Sequence, residues 1–295
     1  MRELPATDLL DELLSTFSIR AHIAFRGLAC ERWSIGGPTQ GRLGFHFVLC
    51  GACWAHLPDV SHPVALREGA LLLYRPSASH LLADSADSVG LVVPARITSL
   101  ARDEPAPHVG LLCGYFDGAG THSPLVEALP PYLLWPDFAA LPAPLVPLMH
   151  TLVACAHDTS RCGEQVLARL CEVLLLMILR DPSVVPRERI APLRAHCDPA
   201  LRRAFESIHA QPGKRWTLTA LARSVGLSRS AFAQRFTEIA GVPAMTYLRW
   251  HRLALAERHM SDGLSAEQAA RALGYRSVAA FRRARLRGRS ESKRG

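Results

Sequence analysis

Long apolar runs are missing from this 295-residue chain. A helix that spans a bilayer needs about 20 consecutive apolar residues, whereas the longest run here, Val173 to Leu179, has seven. The first residues, Met-Arg-Glu-Leu-Pro, also lack the apolar segment of a secretory signal. These absences argue against a membrane or secreted protein. We expect a cytoplasmic chain whose eight cysteines are reduced.

Acidic residues are scarce in only one part of the chain. Residues 196–295 contain 19 Lys and Arg against 7 Asp and Glu, a net charge of +12, whereas residues 1–195 carry −4. Lysine is almost absent, with 2 against 32 Arg, and a codon bias toward Arg explains that ratio. It does not explain why the charges are segregated. A basic C-terminal third predicts contact with nucleic acid, with a merely solvated basic surface as the alternative.

Enzyme motifs are also missing. The chain has no nucleophile elbow, no phosphate-binding loop and no paired carboxylates placed for acid–base chemistry. We therefore expect neither a catalytic residue nor a cofactor.

The region from Ala21 to Gly118 has the pattern of a β domain. Short β-like runs alternate with Gly, Pro and Asp, and turns every eight to twelve residues predict a sandwich or barrel. The predicted strands are Phe45–Cys50, Cys53–Leu57, Pro63–Leu66, Ala70–Tyr74, Ser88–Val93 and Val109–Phe116.

Helices are predicted on both sides of this domain. An amphipathic patch in residues 5–20 predicts a short leading helix, and Pro- and Gly-containing segments, the last of them residues 130–147, lead to helices at Leu145–His157 and Glu164–Arg180. The second of these is apolar nearly all round, so it must be covered on several sides. A second subunit or the chain's own core could provide that cover.

Two stretches of the basic third are alike. One starts at Leu218 and the other at Ala266. Both have the pattern of a short helix, a glycine turn and a second helix anchored by a phenylalanine. The two glycines, Gly226 and Gly274, are 48 residues apart. This is the helix-turn-helix pattern, in which glycine permits the left-handed turn. A continuous helix from Tyr247 to Met260 would hold two recognition helices for adjacent major grooves, roughly 34 Å apart.

The candidate DNA contacts lie in the first turns of each recognition helix, which enter the major groove in such proteins. Arginine can bind guanine and glutamine can bind adenine through paired hydrogen bonds, and the N-cap Ser228 leaves backbone N–H groups for a phosphate. The alternative is an ordinary solvated helix face. The candidates are Ser228, Arg229, Ser230, Ala233, Gln234 and Arg235, then Arg276, Ser277, Val278, Ala279, Arg282 and Arg283.

With these motifs the chain closely resembles the AraC/XylS family of bacterial transcription regulators over residues 200–286. The resemblance implies a dual helix-turn-helix domain that binds promoter DNA and contacts RNA polymerase. The residues that carry it are Leu221, Ala222, Val225, Gly226, Phe232, Arg235, Phe236, Gly241, Pro243, Tyr247, Leu248, Arg252, Leu253 and Ala256, then Ala269, Ala270, Leu273, Gly274, Tyr275, Ser277 and Phe281.

The end of the chain departs from the family pattern. Members usually have a phenylalanine four residues after the one matched by Phe281, and this chain has Arg285 there. The change removes apolar burial of about 1.5–3 kcal/mol, for which Leu286 could partly compensate. We therefore predict that the second module is less stable than the first and that its last residues are disordered. The basic tail is also a candidate nonspecific phosphate clamp.

The N-terminal half resembles the cupin-like domain of a branch of the same family, through residues 45–58 and 69–80. The resemblance implies a small β-barrel that senses a signal or controls dimerisation. His46 and His80 are the candidates for a surviving cupin metal set, but no His-x-His pair or matching Glu accompanies them. Buried or rim histidines are the favoured interpretation.

Cys50 and Cys53 have the spacing of a thiol pair. They are predicted on a hairpin, where nothing evident lowers a thiol pKa, and no second pair completes a zinc site. Since some members of the family sense oxidants through N-terminal cysteines, a redox switch at this pair is a minority hypothesis.

The sequence thus predicts an α+β protein with a cupin-like sensor and dimerisation domain with a helical pair at residues 1–182, a linker at 183–198 and a dual helix-turn-helix domain at 199–295. Its expected function is sequence-specific transcription regulation in response to a small molecule or oxidant, as a possible homodimer. The alternatives are a cupin-type metal-dependent enzyme with a fused basic module and a nonspecific chromosome-coating protein.

Overall fold

The computed structural model describes residues 19–30, 32–36, 42–76, 78–88, 96–98, 108–117, 128–158, 162–186, 198–261 and 263–291, together with Leu14, Val126 and Ile190. No helix in these ranges combines the length and the apolar content that crossing a membrane requires. The chain divides into two compact units. The β unit comprises Ile19–Asp117 and Leu129–Ile178, and the helical unit comprises Met1–Ser18, Gly118–Ala128 and Leu179–Gly295.

Two antiparallel sheets form the β unit. The larger sheet has the order β10-β6-β3-β9-β1-β8 and the smaller one the order β2-β7-β4-β5. The strands are β1 Arg20–Cys30, β2 Ser34–Gly36, β3 Leu43–Cys50, β4 Ala52–His56, β5 Val64–Arg67, β6 Leu71–Tyr74, β7 Leu81–Ala83, β8 Arg96–Thr98, β9 His108–Asp117 and β10 Tyr132–Trp135.

Strand β3 lies at the centre of the larger sheet. It pairs with β6 on one side and β9 on the other, and seven of its eight residues are buried. Such a strand needs apolar side chains on both faces, which is why its sequence is apolar apart from His46. One of its inward positions is His46, directly opposite Cys113 on β9.

Five of the six predicted strands agree with observed ones: those at Phe45, Cys53, Pro63, Ala70 and Val109 match β3, β4, β5, β6 and β9 within a few residues. Most of the predicted strand Ser88–Val93 lies outside the described residues. No specific sequence signal marks β1, which pairs with β9 over most of its length around a bulge between Ile23 and Phe25. None marks β10 either, which follows two prolines.

Helices α1 (Val146–His157) and α2 (Glu164–Arg180) confirm the two helices predicted after the sheet region. Two 3-10 turns at Phe138–Ala140 and Ala143–Leu145 precede α1. Helix α2 buries one face, while Val166 and Val173 remain 44% and 47% exposed. The described part of the chain therefore covers this apolar helix on one side only. The predicted leading helix in residues 5–20 lies outside the described residues, apart from the helical, buried Leu14 and the chain just before β1.

Six helices fill the described part of the helical unit. They are α3 Pro199–Ala210, α4 Leu218–Ser224, α5 Arg229–Ala240, α6 Ala244–Ser261, α7 Ala266–Ala272 and α8 Val278–Glu291. Helices α4 and α5 form the first helix-turn-helix module, and α7 and α8 form the second. The turn glycines Gly226 and Gly274 have φ of 76° and 73°, in the left-handed region predicted for them.

Side-chain caps fix where these helices begin. Thr217, Ser228 and Ser265 accept hydrogen bonds from backbone N–H groups three residues ahead, as Ser277 does at the start of α8. Ser265 and Gln268 complete the predicted capping box. Each cap satisfies N–H groups that the first turn of a helix leaves without a partner, and is worth about 1 kcal/mol. The recognition helices thus start at positions defined by the sequence.

Candidate DNA-binding surface and sensor interior

The inner face of the first recognition helix, α5, is fixed by two phenylalanines one turn apart. Phe232 and Phe236 are fully buried, and the ring of Phe236 stacks on Phe205 of α3 with 4.6 Å between centroids. Tyr247 of α6 closes the cluster edge-on to Phe205. Because this face is buried, the opposite face of α5 must point to solvent.

The predicted contacts on α5 lie on that outer face. Ser228, Arg229, Ser230, Gln234 and Arg235 are exposed, and Ala233 is half-buried. Gln234 donates to Glu238 at 2.9 Å. A base could compete for that amide group, because the two side chains meet one helical turn apart on an exposed surface.

Arg235 differs from the other candidates because its partner lies outside its own helix. Its guanidinium pairs with the carboxylate of Asp198 at 2.5 Å. The other oxygen of Asp198 accepts from the N–H groups of Ala200 and Leu201, so it caps α3. Arg235 therefore ties α5 to the start of α3. No local sequence signal could have shown this pair, because 37 residues separate the partners.

The second recognition helix, α8, is built in the same way with fewer apolar contacts. Phe281 is fully buried and Ala284 nearly so. Among the candidates, Arg276, Ser277, Ala279, Arg282 and Arg283 are exposed and Val278 is half-buried. The described outer face of α8 therefore carries two exposed arginines, Arg282 and Arg283, as many as the outer face of α5.

The structure corrects one detail of the second module. Leu286 is 65% exposed, so the expectation that it compensates for the missing phenylalanine is wrong. Arg285 instead lies half-buried with its guanidinium 5.9 Å from the centre of the Phe281 ring. The backbone of α8 is helical to Glu291, and residues 292–295, for which disorder was predicted, lie outside the described residues.

The second module is also packed less fully. Its buried cluster in the described residues has five members, against fourteen in the first module's cluster. A partly open cavity of about 270 Å³ lies beside it, lined by Met245, Leu248, Arg249, Arg252, Tyr275, Ala280 and Ala284. Two of these lining residues, Ala280 and Ala284, are small side chains of α8.

The short loop between α3 and α4 contacts both α6 and the turn of the second module. Arg252 of α6 donates to the carbonyl groups of Pro212 and Lys214, at 2.6 and 2.7 Å. The backbone of Gly213 lies against Gly274 so closely that a Cβ on Gly274 would be 2.1 Å from the Gly213 carbonyl oxygen. The turn of the second module is thus in contact with a loop that leads into the first.

Two histidines at the base of the first module are neutral. His209 makes a 2.8 Å hydrogen bond with the Tyr247 hydroxyl group and stacks on His251. Burial lowers the pKa of His209 to about 4 and that of His251 to about 3. Both rings therefore belong to the core at neutral pH and add nothing to the positive charge on the surface of the helical unit.

In the β unit the structure brings the two candidate histidines together. The Nε2 atoms of His46 and His80 are 2.9 Å apart, and both rings pack against Tyr74. Burial, with a smaller effect from His80, lowers the pKa of His46, and burial lowers the pKa of His80 to about 4. The described residues hold no cluster of three or more His, Cys, Asp or Glu that could hold a metal ion.

The two cysteines of the predicted thiol pair, Cys50 and Cys53, lie on consecutive strands and differ in burial. Cys50 is half-buried at the end of β3, while Cys53 is buried on β4, where desolvation raises its pKa to about 12. Sequence reasoning missed a closer pair, Cys155 and Cys162, whose Sγ atoms are 2.7 Å apart. No motif marks this pair, because the cysteines are seven residues apart and are brought together by the helices that flank them.

Two helix-turn-helix modules that each expose arginines, in a chain that also carries a unit of two β sheets, define the class as DNA-binding regulators. A Cupin family model matches residues 8–182, and a Helix-turn-helix domain model matches residues 221–288. The first match covers more than half of the chain. The chain therefore has a cupin domain followed by a helix-turn-helix domain.

Comparison with whole proteins identifies the family. The chain is 30% identical to an AraC-like transcription regulator of Streptomyces antibioticus over 289 residues, which cover 93% of each chain. It is 29% identical to one of Streptomyces lividans over 288 residues, 93% of this chain and 92% of the relative. The chain belongs to the AraC-like transcription regulators.

Among solved structures, ToxT from Vibrio cholerae aligns over 92% of each chain at 10% identity, with a TM-score of 0.37.

Proposed function

We propose that this transcription regulator binds its operator by inserting the first turns of α5 and α8 into successive major grooves. The observation that carries the proposal is the matched construction of the two helices. Each buries phenylalanine on its inner face and begins at a serine cap beside an exposed arginine, Arg229 or Arg276. Recognition helices dock in this orientation, with their N-terminal residues against base edges.

Within this proposal the exposed candidates divide into three roles. Arg229 and Gln234 on α5, Arg276 just before α8 and Arg282 on α8 are long enough to reach base edges. Ser228 and Ser277 present helix N-termini, which suit phosphate oxygens. Arg235 acts as a positioning residue, because its ion pair with Asp198 sets the angle of α5.

Substitution of the exposed arginines tests the proposal. A duplex with an operator is selected from a random pool and its affinity is measured by gel shift. Arg229→Ala and Arg282→Ala are each expected to weaken binding about 5- to 150-fold, because a base contact is worth about 1–3 kcal/mol. Arg67→Ala, an exposed arginine of the β unit, is the matched control and should leave affinity unchanged.

A competition assay separates operator binding from coating of the chromosome. Random duplex should compete at least a thousandfold less well than the operator, the usual ratio for specific binding. Equal competition by the two duplexes, with loss of affinity only as salt rises, would favour the nonspecific alternative.

We further infer that the bound protein contacts RNA polymerase at the promoter and that its cupin domain senses a small molecule or an oxidant. The interior around His46, His80 and Tyr74 is the candidate sensing region, since it combines apolar walls with imidazole and phenol groups. We infer a regulatory and not a catalytic role for this domain. The alternative, a cupin-type metal enzyme, would be favoured by stoichiometric Fe, Mn or Ni in the purified protein.

We also propose that the protein forms a homodimer through α2. Val166, Leu170, Val173 and Met177 are spaced four, three and four residues apart, so they form one stripe along the helix. The valines at positions 166 and 173 are about half exposed, and the other two are half-buried. An apolar stripe with this spacing is typical of helices that pair with a second helix.

Val173→Glu is expected to convert a dimer to a monomer in sedimentation equilibrium at micromolar concentration, because it would bury a charge in the seam. The matched control is Val60→Glu, since Val60 is 42% exposed on another surface of the β unit. A wild-type protein that is monomeric at these concentrations, or a dimer unaffected by Val173→Glu, would contradict this proposal.

A further inference from the structure

Cys155 and Cys162 form a pair that the regulatory function described above does not use. Cys155 lies in the last turn of α1 and Cys162 two residues before α2. Their Sγ atoms are 2.7 Å apart, within hydrogen-bonding distance of one another. Both residues are half-buried, so a small solute can reach them. Such an approach is much closer than most free cysteines make.

Backbone contacts on both sides hold the pair in place. Arg26 of β1 donates to the carbonyl groups of Cys155 and Ala156, which are among the last acceptors of α1. The N–H of Cys162 donates to the carbonyl of Asp158 at 3.0 Å. These hydrogen bonds anchor the backbone at both cysteines, and the two sulfur atoms are kept together by the fold.

We propose that Cys155 and Cys162 are a reversible oxidation site, which closes to a disulfide when the reduced protein meets a peroxide. The proposal concerns the chemistry of the β unit and does not depend on operator binding. It assigns the redox role to a different pair from Cys50 and Cys53. It also names the ligand class, a small two-electron oxidant.

The reaction proceeds in two balanced steps. The Cys162 sulfur, as thiolate, attacks one peroxide oxygen, the O–O bond breaks and hydroxide leaves, which gives a sulfenic acid. The Cys155 sulfur then attacks the sulfenic sulfur, the S–O bond breaks, and its proton leaves with the hydroxyl group as water. With the proton first released from Cys162, two thiols and hydrogen peroxide give one disulfide and two water molecules.

The environment favours Cys162 as the attacking sulfur. The hydrogen bond with Cys162, followed by burial, raises the pKa of Cys155 to about 11, so Cys155 keeps its proton at neutral pH. Asp158 further raises this pKa and Arg26 lowers it.

Other cysteines of the described residues are poorly placed for the same reaction. Cys53, Cys113 and Cys171 are buried. Desolvation raises the pKa of Cys53 and Cys171 to about 12 and raises that of Cys113 as well. A thiol that is both protonated and shielded from solvent reacts slowly with peroxide, so Cys53, Cys113 and Cys171 should not compete with the half-buried pair.

Peptide mapping of the full-length protein tests the site. Reduced protein is treated with one to two equivalents of hydrogen peroxide at neutral pH, blocked with N-ethylmaleimide and digested with trypsin. Trypsin cleaves after Arg161, between the two cysteines, so a disulfide joins two peptides that otherwise separate. We expect this cross-link in more than half of the molecules, and its loss after dithiothreitol.

Two variants make the assignment specific. The peptide that ends at Arg161 also contains Cys113, so Cys155→Ser is needed to identify the partner. Cys155→Ser should abolish the cross-link, and Cys50→Ser should retain it. A cross-link that persists in Cys155→Ser, a Cys50–Cys53 disulfide as the main product, or a Cys162 that remains labelled by N-ethylmaleimide would each overturn the proposal.

Discussion

Replacing Gly274 with alanine is expected to destabilise the second helix-turn-helix module by about 3–4 kcal/mol, whereas the same change at Gly226 should cost only about 1 kcal/mol. The two glycines have almost the same φ, 73° and 76°, so the strain of a left-handed alanine is common to both. They differ in their surroundings. A Cβ on Gly274 meets the Gly213 carbonyl oxygen at 2.1 Å, and one on Gly226 meets nothing within 4 Å.

Hydrogen exchange resolved by peptide measures the two modules separately in the intact protein. Gly274→Ala should raise exchange in α7 and α8 far more than Gly226→Ala raises it in α4 and α5. Because each glycine acts as the control for the other, equal effects in the two modules would show that the contact with Gly213 contributes nothing to stability.

The second large effect is expected from Phe281→Ala, which should cost about 3–5 kcal/mol. Phe281 is the only aromatic residue among the five buried members of the second module's cluster in the described residues. Its loss leaves alanines, Leu273 and the neighbouring cavity, so α8 should lose most of its protection from exchange. Phe232→Ala removes a ring of the same size from a cluster of fourteen, and the first module should keep part of its protection.

Leu286→Ala is the control for this prediction, because Leu286 lies on the same helix and is 65% exposed. Exposed positions usually change stability by less than about 0.5 kcal/mol. If Leu286→Ala destabilised α8 as much as Phe281→Ala, the exposed position of Leu286 and the inner face assigned to α8 would both be wrong.

The helical unit was largely predictable because its signals are local. A small residue, a glycine and a phenylalanine at fixed spacing define each module, and the positions of Phe232 and Phe281 determine which residues face outward. The β unit was less predictable because its strands depend on distant partners. Strand β1 has a mixed polar sequence and gains its structure from pairing with β9, about 90 residues later.

The candidate site shows the same division. The exposed positions of Arg229 and Arg282 follow from helix periodicity alone. The ion pair between Arg235 and Asp198, the contact between His46 and His80, and the cysteine pair of the β unit all join residues whose proximity no local pattern encodes. The sequence thus predicted which residue types face solvent, and the fold determined which of them already have partners.

Helix α6 has a consequence for the operator. It runs without a break over Ala244–Ser261, about 27 Å at 1.5 Å per residue, and belongs to both modules. The rotational offset between the two recognition helices is therefore fixed within one protomer. It cannot adjust when the DNA between the two contact sites becomes longer or shorter. Natural operators should tolerate base changes between their two contact sites far better than the insertion of five base pairs, which turns the second groove to the opposite side of the duplex.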